Sequence, residues 1–204
     1  MQGNFMQTTR YLIVTFFHCV VLAGCAAMFV PVTSDPLKKL YWAEQLYDQQ
    51  YRPLPAEQLI QEAIDIYRSQ DSQLGLAEAY RQYGFFFRAP SIEKWQKYYR
   101  EKGFLDRTAT FDIRYAKSLE YFEKAKNLFE ENQKYDLLTN VYLNIGWTYE
   151  LMNNQKAACT AFEQSLKANK KHMETIPNAK VRLLSGHINY EAFVASNKKR
   201  VGCA

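Results

Sequence analysis

YLNIGWTYELMNNQKAACTAFEQS, residues 142–165, carries the plainest structural pattern in the chain. It reads as two helices joined at Asn153–Asn154. In the first, Tyr142, Ile145, Trp147 and Tyr149 are large, while Gly146 has no side chain. In the second, Ala158, Phe162 and Ser165 fall at i, i+4 and i+7, which is one face of a helix. Small residues at Gly146 and Ala158 let two antiparallel helices approach closely, with Tyr149 and Phe162 filling the space beside them.

The same spacing recurs along the chain. Forty residues after Gly146 comes Gly186, and sixty-two before it comes Gly84, with Tyr80, Tyr83 and Phe87 in the large positions. The trio of the second helix moves with it: Ser118, Phe122 and Ala125 stand forty residues earlier, and Ala56, Ile60 and Ala63 sixty-two before those. Leu40, Ala43–Glu44 and Tyr47 supply the matching first helix. Between Gly84 and Ser118 the middle copy carries 22 more residues than the third copy has between Gly146 and Ala158 (34 apart against 12), an insertion between the two helices of one repeat. An all-α chain follows: three helical hairpins in one register, over about 37–76, 77–138 and 139–178, an insertion at about 90–114, a capping helix at about 179–198 and a tail at 199–204.

These residues resemble the tetratricopeptide repeat, on Tyr142, Ile145–Gly146, Tyr149, Ala158, Phe162 and Ser165. The repeat's closing Pro is replaced by Lys170, and the period is forty rather than the usual ~34, because each second helix continues for extra turns. The resemblance implies a short solenoid whose concave face is lined by the first helix of each hairpin, and a protein or peptide partner held there.

Residues 1–24 read as an export signal. YLIVTFFHCVVLAG follows the lone charge of Arg10 and is too short to cross a bilayer, which takes ~20 apolar residues. Leu22-Ala23-Gly24-Cys25 resembles the lipobox of bacterial lipoproteins, which implies cleavage before Cys25, lipidation of that Cys and, with Ala26 and Ala27 following, a place on the outer membrane facing the periplasm. Residues 25–35 are then a tether, in which ten extended residues reach at most ~35 Å, and 36–200 the repeat domain. Asp35–Pro36 reads as the N-cap and first position of the first helix, Pro53 and Pro55 as breaks before a helix from Ala56, and Ser91–Glu101 as one helix ended by Gly103.

Net charge is +5, with no Lys/Arg run longer than Lys198–Arg200, so nothing points to nucleic acid. Beyond the signal only His172 and His187 remain, in no metal-ligand or nucleophile spacing, and no Gly-rich phosphate loop appears. No cofactor, metal or catalytic residue is expected. Cys159 and Cys203 are the thiols left after Cys19 and Cys25 are accounted for; they are either a bridge, as an oxidising compartment favours, or two separate thiols.

The expected groove positions lie one place after each Gly position and a turn to either side. Tyr41, Arg81, Phe85, Arg88, Trp147, His187 and Tyr190 are the binding candidates, with Gln45, Asp48, Leu143, Glu150 and Leu183 beside them. Phe85 and Trp147 have two readings, groove or core of a tightly wound array. So has the insertion, with Trp95, Tyr98, Tyr99, Phe104 and Phe111: a further contact surface, or a helix packed on the array's edge. Two functions fit: a scaffold or adaptor in envelope, secretion or pilus assembly, or an immunity protein against a toxin acting in the periplasm or on the membrane.

Overall fold

Asp35 opens the folded part of the chain by capping: its side chain accepts from Leu37 N (2.9 Å) and Lys38 N (3.3 Å), with Pro36 at the first helical position. The computed structural model describes residues 30–176 and 189–203. The chain divides into two units, Met1–Thr33 and Ser34–Ala204, and every described helix belongs to the second. Among the described residues the fold is all-helical: α1 (Pro36–Glu44, continued by a π-helical turn Gln45–Gln49), α2 (Pro53–Ser69), α3 (Gln73–Phe87), α4 (Pro90–Lys94), α5 (Gln96–Lys102), α6 (Arg114–Glu131), α7 (Tyr135–Leu151), α8 (Gln155–Thr175) and α9 (Tyr190–Arg200).

Helices α1 and α2, α3 and α6, and α7 and α8 pack as pairs, and α9 packs on α8. This is a tetratricopeptide-like solenoid of three hairpins with a terminal helix and an insertion in the second hairpin. The register is visible in what is buried. Ala56, Ser118 and Ala158, then Ile60, Phe122 and Phe162, then Ala63, Ala125 and Ser165, are all fully buried. A Cβ on Gly84 would stand 2.7 Å from the Phe122 ring, and one on Gly146 2.4 Å from the Phe162 ring, so each Gly is the seat of the aromatic residue on its partner helix. The Ser118 hydroxyl donates to Gly84 O (2.7 Å), binding α6 to α3 across a sequence separation of 34.

Turns repeat with the helices. Tyr51, Asp71, Gln133 and Asn153 all have left-handed backbones, with φ of 54°, 50°, 53° and 56°. Lys134 N–H donates to Phe129 O and Gln133 N–H to Glu130 O, the paired bonds that close a helix over a left-handed residue; Asn154 to Tyr149 and Asn153 to Glu150 repeat them.

Three expectations are corrected. Pro53 and Pro55 stand in the first turn of α2 rather than before it, where an N–H has no helical acceptor and Pro costs nothing. The insertion helix is two short helices meeting at Trp95, although Gly103 (φ 74°) does end the second. The last helix begins at Tyr190, because Asn189 is extended (φ −154°, ψ 172°) and caps it by accepting from Ala192 N (2.8 Å). Residues 177–188, with Gly186, lie outside the described residues.

The insertion, 88–113, belongs to the core. Ile92, Tyr99, Phe104 and Phe111 are buried, and Tyr99 stacks on Phe104 (4.2 Å), which packs on Phe87 (5.0 Å). Glu57 of α2, itself buried, accepts from the Tyr83 hydroxyl and from Leu105 N, both at 2.8 Å, and Tyr121 of α6 donates to Asp106 (3.0 Å). Three helices thus hold the inserted loop, as the edge-packing alternative expects, while Trp95 and Tyr98 of the same segment stay exposed.

Candidate groove between the first helices

The first helices of the hairpins, α1, α3 and α7, meet in a groove with two hollows. At one end a cavity of about 440 Å³ is lined by Leu37, Tyr41, Glu78 and Arg81 among others. Tyr41 is 55% exposed there, the most accessible of the aromatic residues expected to bind. Further along, a cavity of about 270 Å³ lies among Glu44, Tyr47, Asp48, Phe85, Arg88 and Leu151.

Arg81 is spent on structure. It pairs through two nitrogens with Glu78 one turn earlier and donates to Asn140 of α7 (2.8 Å), so it joins α3 to α7. Phe85 is half-buried, edge-on to Phe122 (5.2 Å), with the guanidinium groups of Arg81 and Arg88 at 5.3 and 5.5 Å from its ring. It is therefore core on one side and groove on the other.

Arg88 caps the C-terminal end of α3. One of its nitrogens donates to Asn144 of α7, and its guanidinium lies 5.5, 5.7 and 5.9 Å from the Phe85, Phe122 and Trp147 rings. Cation–π attraction of this kind strengthens where water is excluded. Among the described residues no carboxylate reaches it within the 4.0 Å of an ion pair, and burial pulls its pKa down to about 10.

Two expected groove residues are corrected. Trp147 is half-buried and committed to the terminal helix: its indole N–H donates to Asn197 (2.8 Å), and its ring meets Phe193 edge-on (6.4 Å). Among the described residues, its contact with Arg88 links it to the groove. Tyr190 is buried with Leu143, Phe162 and Val194, its hydroxyl 2.6 Å from Ser165 Oγ. The Ser165 proton goes to Thr139 O (2.6 Å), so Tyr190 is the donor. It is a core residue because helix α9 begins there and turns it onto α8. His187, Leu183 and Cys25 lie outside the described residues.

Cys159 and Cys203 are joined by a disulfide that ties the tail beyond α9 to α8. Gln155 donates to Gly202 O, and Lys198 pairs with Glu163 (2.7 Å), along the same seam. His172 stands on α8, and among the described residues no group of His, Cys, Asp or Glu has the geometry to hold a metal. No helix among them is long and apolar enough to cross a membrane.

The residues that reading by spacing passed over are the amides. Asn140 and Asn144 lie one turn apart on helix α7 beside the apolar Val141, Leu143 and Ile145, and Asn144 is 2% exposed. A buried Asn in such a helix needs partners, and that is the signal available in the sequence.

Residues 114–171, spanning α6, α7 and α8, match the family model of the tetratricopeptide repeat. No curated protein and no solved structure matches the chain. The matched residues are those in which Gly146 seats Phe162, the unit with neither insertion nor interruption.

Proposed function

We propose that this chain is a membrane-anchored interaction module that holds a periplasmic protein or peptide in the groove between α1, α3 and α7. Tetratricopeptide repeats are protein-binding scaffolds, and the matched repeat supports that general role. The observation that carries the reading is the groove itself, where Tyr41, Phe85 and Arg88 border open hollows while the opposite sides of their helices are packed. Aromatic and Arg side chains beside polar ones are the composition of interaction hot spots. The anchor rests on the sequence Leu22-Ala23-Gly24-Cys25, with lipid on Cys25 and the outer membrane as its location. The role is a scaffold or adaptor in envelope, secretion or pilus assembly.

One experiment tests both parts. The full-length chain, its Cys25→Ser variant and a Tyr41→Ala/Phe85→Ala variant are expressed in a Gram-negative cell, fractionated, cross-linked and recovered. The expected result is that Cys25→Ser moves to the soluble fraction and that the groove variant loses the partners of the parent chain. Unchanged partners in the groove variant refute the groove, and Cys25→Ser remaining with the membrane refutes the anchor. A toxin as the recovered partner, with its gene adjacent, assigns the immunity role instead.

A further inference from the structure

Charges of opposite sign line the 270 Å³ cavity without meeting. On one wall is Arg88, whose guanidinium has one hydrogen-bonded partner among the described residues, the Asn144 amide, out of five donor N–H groups. On the other are Glu44 and Asp48, one helical turn apart on α1 and its π-helical continuation. Among the described residues neither carboxylate has a cation within 4.0 Å, and Glu44 takes only a long hydrogen bond from Gln82 (3.4 Å).

Tyr47 lines the same cavity and is fixed there. It is 4% exposed, and its hydroxyl is held by Gln82 (3.0 Å) and its ring by the edge of Phe86 (5.9 Å), so it cannot swing away to let Arg88 reach across. The π-helical turn, in which Gln50 N–H bonds Gln45 O, makes room for Leu46 and Tyr47 both to point inward while Glu44 and Asp48 remain at the rim. Desolvation penalises an unmatched guanidinium, and neighbouring rings offset only part of that penalty.

We propose that this cavity receives an adjacent acidic and basic residue of the partner, the carboxylate on Arg88 and the cation against Glu44 and Asp48. The proposal rests on the groove reading above and names the chemistry of its ligand. An acidic residue alone satisfies Arg88 but faces two carboxylates, and a basic residue alone faces Arg88. Only a pair of opposite charges meets both walls, and the hollow has room for side-chain ends rather than for a helix. Carboxylate on guanidinium is also the strong, directional member of the two contacts.

The test uses the full-length protein and three end-capped dipeptides, glutamate–lysine, glutamate–alanine and alanine–lysine, whose blocked termini leave only side-chain charge. The readout is the ¹⁵N-labelled guanidinium signal of Arg88, identified by its loss in Arg88→Met. Glutamate–lysine is expected to shift it with a dissociation constant about tenfold below that of glutamate–alanine, and alanine–lysine to leave it unmoved. Glu44→Gln with Asp48→Asn, both at exposed positions, should erase the tenfold advantage and leave glutamate–alanine binding intact. Equal response to the two glutamate peptides, no response at tens of millimolar, or a response to alanine–lysine overturns the proposal. Partner loss on Tyr41→Ala/Phe85→Ala is read independently, so the groove can stand where this chemistry fails.

Discussion

The second and third hairpins solve one packing problem with different connections. In the third, α7 and α8 are joined by a tight turn at Met152–Asn154 and the Phe162 ring rests on Gly146. In the second, residues 88–113 intervene between α3 and α6, yet Phe122 rests on Gly84 in the same way. Loop closure entropy grows only slowly with loop length, so the hairpin contact survives an insertion of this size. The inserted segment then offsets its own ordering cost by burying Ile92, Tyr99, Phe104 and Phe111. The Gly–Phe contact is common to these two hairpins, and the connection is rebuilt around it.

The two rings carry the largest expected effects. Phe162→Ala and Phe122→Ala should each cost about 3–5 kcal/mol, since both side chains are fully buried. Urea unfolding of the two variants checks it. A loss for Phe122→Ala under half that of Phe162→Ala would mean the insertion, rather than the Gly–Phe contact, sustains the second hairpin.

Next comes Glu57, which has no counterpart in the third hairpin. Burial pushes its carboxyl from the ordinary 4.5 up to about 7, while the bonds from Tyr83 and Leu105 pull the other way. The folded state therefore holds this proton more tightly than the unfolded chain. Its contribution is fully present below pH 4.5 and is lost as pH rises through 7, a change of about 3 kcal/mol. Glu57→Gln should thus gain on the parent chain by about that much between pH 4.5 and 8, read from urea midpoints at each pH. Parallel stability curves for the two proteins would show that Glu57 does not couple the insertion to protons.

The smallest effect is at the turns. Gln133, which follows α6, and Asn153, which follows α7, share a left-handed backbone. Asn tolerates that conformation, and Gln has no such local compensation. Gln133→Gly should raise stability by about 1 kcal/mol and Asn153→Gly by a few tenths, measured as thermal midpoints. Equal gains would mean that the two turns are under the same strain.

Much of this fold was legible because it is written in local spacing. The nine residues of the three second-helix trios all proved buried, and Gly84 and Gly146 each receive the ring that the register assigned to them. The groove was less legible. Tyr41, Phe85 and Arg88 stand where the helical period put them, but Trp147 and Tyr190 were taken by the terminal helix. Their period was right and their neighbour was not foreseeable, since Asn189 rather than a residue near 178 starts that helix.

The paired helices of the three hairpins and the positions that turn inward were readable in the sequence, because periodicity of apolar and small residues acts within a few turns of chain. What the two groove arginines meet on other helices came from tertiary packing. Arg81 meets Glu78 and Asn140, whereas Arg88, a little less than two turns on along the same helix, meets an amide and three aromatic rings. Glu78 gives Arg81 a partner within its own helix; what Asn140, Asn144 and the rings add depends on what helices distant in sequence bring to within a few ångströms.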